Sequence, residues 1–159
     1  MDCAALRRNH AADEFTGTNQ PTPAFCCILL RMTDAELIDT ARKLVGDFKP
    51  SPDCSAGGVA SALETVAGNV YTGICVDTHC SMGFCAEHAA VAEMLKGRES
   101  EIRTIVAVTS PEGILPPCGR CRELLWQINE RNCETRVIVG NDKVVTLAEL
   151  LPQPRWREC

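Results

Sequence analysis

The run TIVAVTS, residues 104–110, is apolar almost without a break and lies between two helix-patterned segments that each open on a cysteine. Continuous apolar character over so short a span marks a strand buried on both faces. Upstream, FCAEHAAVAEML starts a helix near Cys85 that runs to about Lys96, with Gly97 as its stop. Downstream, PPCGRCREL opens a second helix over roughly 118–130. If each helix follows a strand of the same direction, both helix N-termini begin at one edge of the sheet. The two cysteine clusters then meet there.

The rest of the chain extends this pattern. Thr33 and Glu36 form a capping box for a helix that presents Leu37, Ile38, Ala41, Leu44 and Val45 on one face and stops at Gly46. The Pro- and Gly-bearing stretch 47–58 reads as a loop. VASALET (59–65) and VYTGICV (70–76) read as a hairpin across VAGN, RVIVG (136–140) as a strand and KVVTL (143–147) as a short one. A second capping box, Thr146 with Glu149, opens a short helix ended by Pro152. The order α, β, β, α, β, α, β, then a short strand and helix, predicts an α/β fold with a mixed sheet covered on both faces. With 159 residues, one domain accounts for it. Residues 1–31 show no sustained periodicity and are expected to be a poorly ordered extension to a domain over 32–159, with Met32 a candidate native start.

Net charge is −5 and no Lys/Arg-rich run appears, which argues against a nucleic-acid partner. AFCCILL (24–30) is too short for a membrane span and lacks a cleavage pattern. The 11 cysteines are odd in number and several fall inside regular elements, so thiols free or metal-bound in a reducing compartment, the cytoplasm, are expected.

Cys118 and Cys121, at i and i+3, can turn both sulfurs to one side of a helix start. Alone they fit a redox pair, half of a closed structural zinc clip, or part of a catalytic metal site. A redox pair has no need of Cys85 or Glu87. A closed clip needs a fourth ligand, for which His79 and Cys80 stay candidates. Glu93 reads as a solvent-facing helix carboxylate, whereas Glu87, two residues after a candidate ligand in an alanine-rich helix, asks for a role.

Cys85-Ala86-Glu87 together with Pro117-Cys118-Gly119-Arg120-Cys121 is similar to the paired signature of the zinc-dependent nucleobase deaminases. With cysteine in first place and PCGRCRE in the second motif, the chain resembles the small cytidine deaminase family, including its blasticidin S deaminase branch, over about residues 33–156. The resemblance implies a three-layer α/β/α sandwich with a mixed five-stranded sheet, and one zinc ion per chain held by Cys85, Cys118 and Cys121. Glu87 would be the proton carrier in a desolvated position. The implied substrate is a small molecule, a free cytosine nucleoside converted to its uracil form with release of ammonia, and the implied assembly a homotetramer. No nucleic-acid or membrane partner is expected.

Several positions depart from the family pattern. Family members often carry Arg directly after the glutamate; here that residue is His88, and Arg120 and Arg122 are the candidates for offsetting thiolate charge. The ribose-binding Asn-x-Glu is replaced by Cys75-Val76-Asp77, with Asp77 the candidate partner of a hydroxyl. VASAL, GILPPCGRCR and the terminal LLP…W resemble the blasticidin S branch, which makes Trp156 a candidate aromatic lid and Phe84 a second pocket wall. Two alternatives are kept: a blasticidin S deaminase conferring antibiotic resistance, and a zinc-stabilised interaction protein without activity. Polynucleotide editing is disfavoured by the acidic balance.

Overall fold

The computed structural model describes residues 31–111 and 113–153. The extension before residue 31 and the candidate lid Trp156 lie outside them. Helix α1 (Asp34–Arg42) opens on the capping box of Thr33 and Glu36, as expected. It ends at Arg42 rather than near Gly46, and Leu44 is exposed. Strands β1 (Phe48–Ser51), β2 (Cys54–Thr65) and β3 (Val70–Thr78) follow, then α2 (Ala86–Lys96), β4 (Ile102–Thr109), β5 (Gly113–Ile114) and α3 (Gly119–Ile128). After a 3₁₀ turn over Glu130–Glu134 come β6 (Arg136–Gly140), β7 (Lys143–Thr146) and α4 (Leu147–Leu150), the last capped by Thr146 and Glu149.

The five expected strands run in spatial order β3-β2-β4-β6-β7. Strand β2 is antiparallel to both β3 and β4, so β3 and β4 run in the same direction; β4 and β6 are parallel. That is the relation that brings the N-termini of α2 and α3 to one sheet edge. Two short strands are added: β1 beside the start of β2, and β5 beside the end of β4.

Stretch 47–58 is therefore not a loop. Of its two prolines, Pro52 lies in the turn between β1 and β2, and Pro50 sits in a strand paired on one side only, where a missing N–H costs no ladder bond. Its Gly57 takes φ +84° where the β2–β3 register slips, a bulge rather than a strand end.

Period-two alternation divides the core into two layers. Ala60, Ala62, Val106, Val108 and Ile138 point to one face and bury Leu37, Ile38 and Ala41 of α1. Leu63, Ile105 and Val137 point to the other and meet Ala90, Val91 and Met94 of α2, Leu125 and Trp126 of α3, and Leu147 of α4. The three-layer sandwich follows.

Two contacts set the helices that carry the cysteines. A Cβ on Gly73 of β3 would fall 2.3 Å from the Ala90 nitrogen and 2.6 Å from the Ala86 oxygen, so α2 lies directly on the strand through its alanine face. Fully buried Asn132 accepts from Ile102 N–H (2.8 Å) and donates to the Leu125 carbonyl (2.8 Å), pinning the end of α3 to the start of β4. Glu93 does not face open solvent; its carboxylate accepts Thr72 N–H at 2.8 Å and ties α2 to β3 again. At the domain's leading end, Met32 donates its N–H to buried Glu64 (3.3 Å) and accepts from Arg103 (2.9 Å).

Candidate metal centre and substrate cavity

Strand β3 turns back on itself before α2. Val76 and Phe84 exchange backbone hydrogen bonds of 3.0 and 2.9 Å, closing the intervening loop. Gly83 makes this closure possible, since a Cβ there would meet the Val76 carbonyl at 2.4 Å. The next residue after Phe84, Cys85, is thus delivered to the head of α2 at the end of β3. On the other helix, Arg122 donates to the Pro117 carbonyl (2.7 Å) and to the Leu150 carbonyl (3.1 Å), strapping the entry of α3 to the end of α4.

Cys85 and Cys118 occupy the N-cap positions of α2 and α3. Cys121 lies in the first turn of α3, with no exposed surface. The Sγ of Cys118 stands 3.7 Å from that of Cys85 and 3.5 Å from that of Cys121, and all three sulfurs lie within 4.8 Å of one another. These three thiols are the metal-ligand cluster found among the described residues. His79, weighed as a fourth ligand, turns away: its Nε2 pairs with Asp53 at 3.5 Å, and both side chains are exposed. Cys80 is exposed in the same left-handed turn. No disulfide joins the described cysteines.

The thiols are electrostatically unequal. Burial pushes Cys121 well above the ordinary thiol value, and the neighbouring Glu87 charge pushes the same way. Burial also raises Cys85, against a hydrogen bond from Cys121. Burial acts on Cys118 too, but the N–H groups of Cys121 and Arg120 and the other two thiols outweigh it and hold Cys118 below its ordinary value. Open N–H groups at a helix start favour a thiolate in this way.

Glu87, in the first turn of α2, is 6% exposed and makes no hydrogen bond or ion pair among the described residues. It lines a cavity of about 330 Å³ together with Cys85, Cys118, Phe84, Cys75 and Asp77. The first motif, the second motif and the replaced ribose motif thus share one space. Arg120 is at its rim and reaches the Gly83 carbonyl at 3.5 Å. His88 is half-buried beside the site; burial and the nearby Arg120 charge lower its pKa, and its Nε2 has no hydrogen-bond partner among the described residues. Arg122 is engaged by the two carbonyls already named and does not line the cavity. Val59, Ala107, Leu115 and Pro116 complete the walls, though no site role was expected of them. Val59, Leu115 and Pro116 fall within VASAL and GILPPCGRCR, so the signal was present as resemblance.

A larger cavity, about 620 Å³, lies elsewhere, between the starts of β4 and β6. Its arginines are already paired: Arg103 with Glu64, Arg131 with Glu101, Arg136 with Asp34. It contains none of the three clustered thiols, so the smaller cavity is the better site.

The cytidine deaminase of Mycobacterium tuberculosis superposes with a TM-score of 0.65 at 25% identity, over 77% of this chain and 98% of that one. The cytidine deaminase of Burkholderia pseudomallei gives 0.62 at 25% identity, over 78% of this chain and all of that one. In sequence, a blasticidin-S deaminase of Bacillus cereus is 28% identical over 106 residues, 59% of this chain and 74% of the relative. The chain resembles the cytidine deaminase family, blasticidin S deaminase included. No family model matches. The mixed sheet with flanking helices is the cytidine deaminase fold. The likeness in fold and sequence makes the chain an enzyme of the cytidine deaminase type, a hydrolase of C–N bonds. No helix among the described residues is long and apolar enough to cross a membrane.

Proposed function

We propose that the chain is a zinc-dependent hydrolase that converts a free cytosine nucleoside, or a close analogue, to its uracil form with release of ammonia. The observation that carries this reading is the convergence of three thiols, two of which, Cys85 and Cys118, line one cavity with the buried carboxylate of Glu87. Tetrahedral thiolates roughly 2.3 Å from zinc stand roughly 3.8 Å apart, close to the 3.5 and 3.7 Å found between neighbouring sulfurs. Cys85, Cys118 and Cys121 would hold the ion. Zinc bound by three protein ligands lowers the pKa of water at its remaining position, which supplies a nucleophile at neutral pH.

The protein's own part rests with Glu87. Its carboxylate accepts the proton lost by the attacking water and delivers a proton to ring N3 as the bond to C4 forms. It then takes the proton of the new C4 hydroxyl and hands it to the amine as the C4–N bond breaks, so that the carbonyl forms and ammonia leaves. A group that must accept and donate in one cycle works best shielded from bulk water, where Glu87 sits. Phe84 and Asp77 line the same cavity, where Phe84 would pack against the base and Asp77 would accept from the sugar. The resemblance also supports a homotetramer, and the free thiols support a cytoplasmic setting.

A second reading, deamination of blasticidin S, is favoured by the Bacillus cereus relative and by Cys75-Val76-Asp77 standing where cytidine deaminases carry Asn-x-Glu. An inactive zinc-stabilised interaction protein is disfavoured, because it gains nothing from a buried, unpartnered Glu87. An ultraviolet assay of the zinc-loaded protein against cytidine, deoxycytidine, blasticidin S and N4-substituted cytidines separates these readings. Turnover of none of them would reject the first two.

A further inference from the structure

The register of β2 against β3 is interrupted at one place. Ala56 pairs with Val76 and Ala60 with Ile74, so Gly57, Gly58 and Val59 stand opposite Cys75 alone. Into this widened gap the Cys75 side chain projects: its Sγ accepts the Val59 N–H at 3.2 Å. The same thiol reaches Asp77 Oδ2 at 3.8 Å. Cys75 and Asp77 are two apart on one strand and so present their side chains to the same face, where both line the 330 Å³ cavity with Val59. Cys75 is 7% exposed, whereas Asp77 is exposed and also borders a neighbouring cavity lined by Asp53 and His79. Among the described residues no other hydrogen bond or ion pair of Asp77 fixes which cavity its carboxylate serves.

We propose that Cys75 is a positioning residue whose thiol, seated on the Val59 N–H at the bulge, holds the Asp77 carboxylate toward the substrate cavity as acceptor for a hydroxyl of the sugar. This rests on the nucleoside reading given above. Aligning the carboxylate before substrate arrives removes an ordering cost from binding and leaves the chemical step, at Glu87, untouched. The bulge is the device that makes this possible. In regular pairing a side chain on β3 would meet another side chain on β2 rather than a backbone N–H.

The test is a comparison of Cys75→Ala, Cys75→Val, Cys75→Ser, Asp77→Asn and the double variant Cys75→Ala/Asp77→Asn in the zinc-loaded full chain. Loss of one aligned hydrogen bond should raise KM for cytidine roughly three- to tenfold, with kcat within about twofold, in both Cys75→Ala and the near-isosteric Cys75→Val. Cys75→Ser should restore KM. Asp77→Asn should raise KM similarly, and the double variant no further than Asp77→Asn alone. Amide exchange supplies a readout apart from activity: Val59 should exchange faster in Cys75→Ala and Cys75→Val and stay slow in Cys75→Ser. An unchanged KM in the alanine and valine variants, losses that multiply in the double variant, or an unchanged Val59 exchange rate would each overturn the proposal. If the wild-type protein turns over no cytosine nucleoside, the functional reading fails by itself. Calorimetric binding of cytidine then replaces KM: weaker binding in both Cys75 variants supports the relay, and equal binding overturns it.

Discussion

The sulfurs of Cys85 and Cys118 lie 3.7 Å apart although 33 residues of chain separate them. That distance is set by the sheet, because β3 and β4 run the same way and each delivers a helix to the same edge. Metal at this point ties two helix heads together, so Cys118→Ala should lose it and lower thermal stability, as read by metal analysis and melting.

Loading should also depend on pH. Burial raises the Cys85 and Cys121 thiols, so both carry protons in the metal-free protein at neutral pH, and a metal must displace them. Affinity should therefore fall with falling pH, by about tenfold per pH unit for each proton displaced. Competition titrations with a chromophoric chelator between pH 6 and pH 8 measure the slope; a flat profile would contradict the protonation assigned to these thiols.

Glu87→Gln keeps the size of the side chain and removes its ability to carry a proton. Turnover should drop by about 10²–10⁴-fold, while zinc content and the melting temperature stay close to the parent's. A variant that retained near-parental activity would dismiss Glu87 as the proton carrier.

Local signals in the sequence were strong where chemistry and secondary structure coincide. Cys85 and Cys118 head helices because the chain turns there, and two capping boxes marked the starts of α1 and α4. What was not legible depends on pairing between distant residues. Stretch 47–58 read as a loop from its Pro and Gly, since nothing local indicates that Pro50 will lie at an edge and Gly57 in a bulge. Glu93 read as a solvent-facing carboxylate because its partner, Thr72 N–H, belongs to another element. Val59 and Ala107 entered the cavity wall by register, which hydrophobic pattern alone does not number.

The contact between Gly73 and α2 leads to a stability prediction with a functional consequence. A methyl at Gly73 would meet backbone atoms of Ala86 and Ala90, which cannot rotate away as a side-chain tip can. Gly73→Ala should therefore cost about 1–3 kcal/mol in urea unfolding. It should also lower activity, because the helix it displaces carries Cys85 and Glu87. Full activity at reduced stability would indicate that α2 moves as a body with α3.

Arg136 and Asp34 form a two-pronged ion pair, both contacts 2.8 Å, joining the head of α1 to β6 across 102 residues of sequence. The hydrogen bonds from Arg136 hold the Asp34 carboxyl below its ordinary value, against a smaller opposing effect of burial. The unfolded chain therefore takes up this proton more readily than the folded one. The pair's contribution is complete above the ordinary aspartate range, about pH 4, and is lost as pH falls through the depressed folded value. Both side chains are more than a third exposed, so solvent screening limits the effect to about 1 kcal/mol at most. Asp34→Asn should accordingly be less stable than the parent by up to that amount at pH 7 in low salt. The gap should narrow in high salt and close in acid. Urea melts of the two proteins at pH 7 and near pH 2, with and without 1 M salt, check each arm; a gap that widened on acidification would reverse the sign assigned to Asp34.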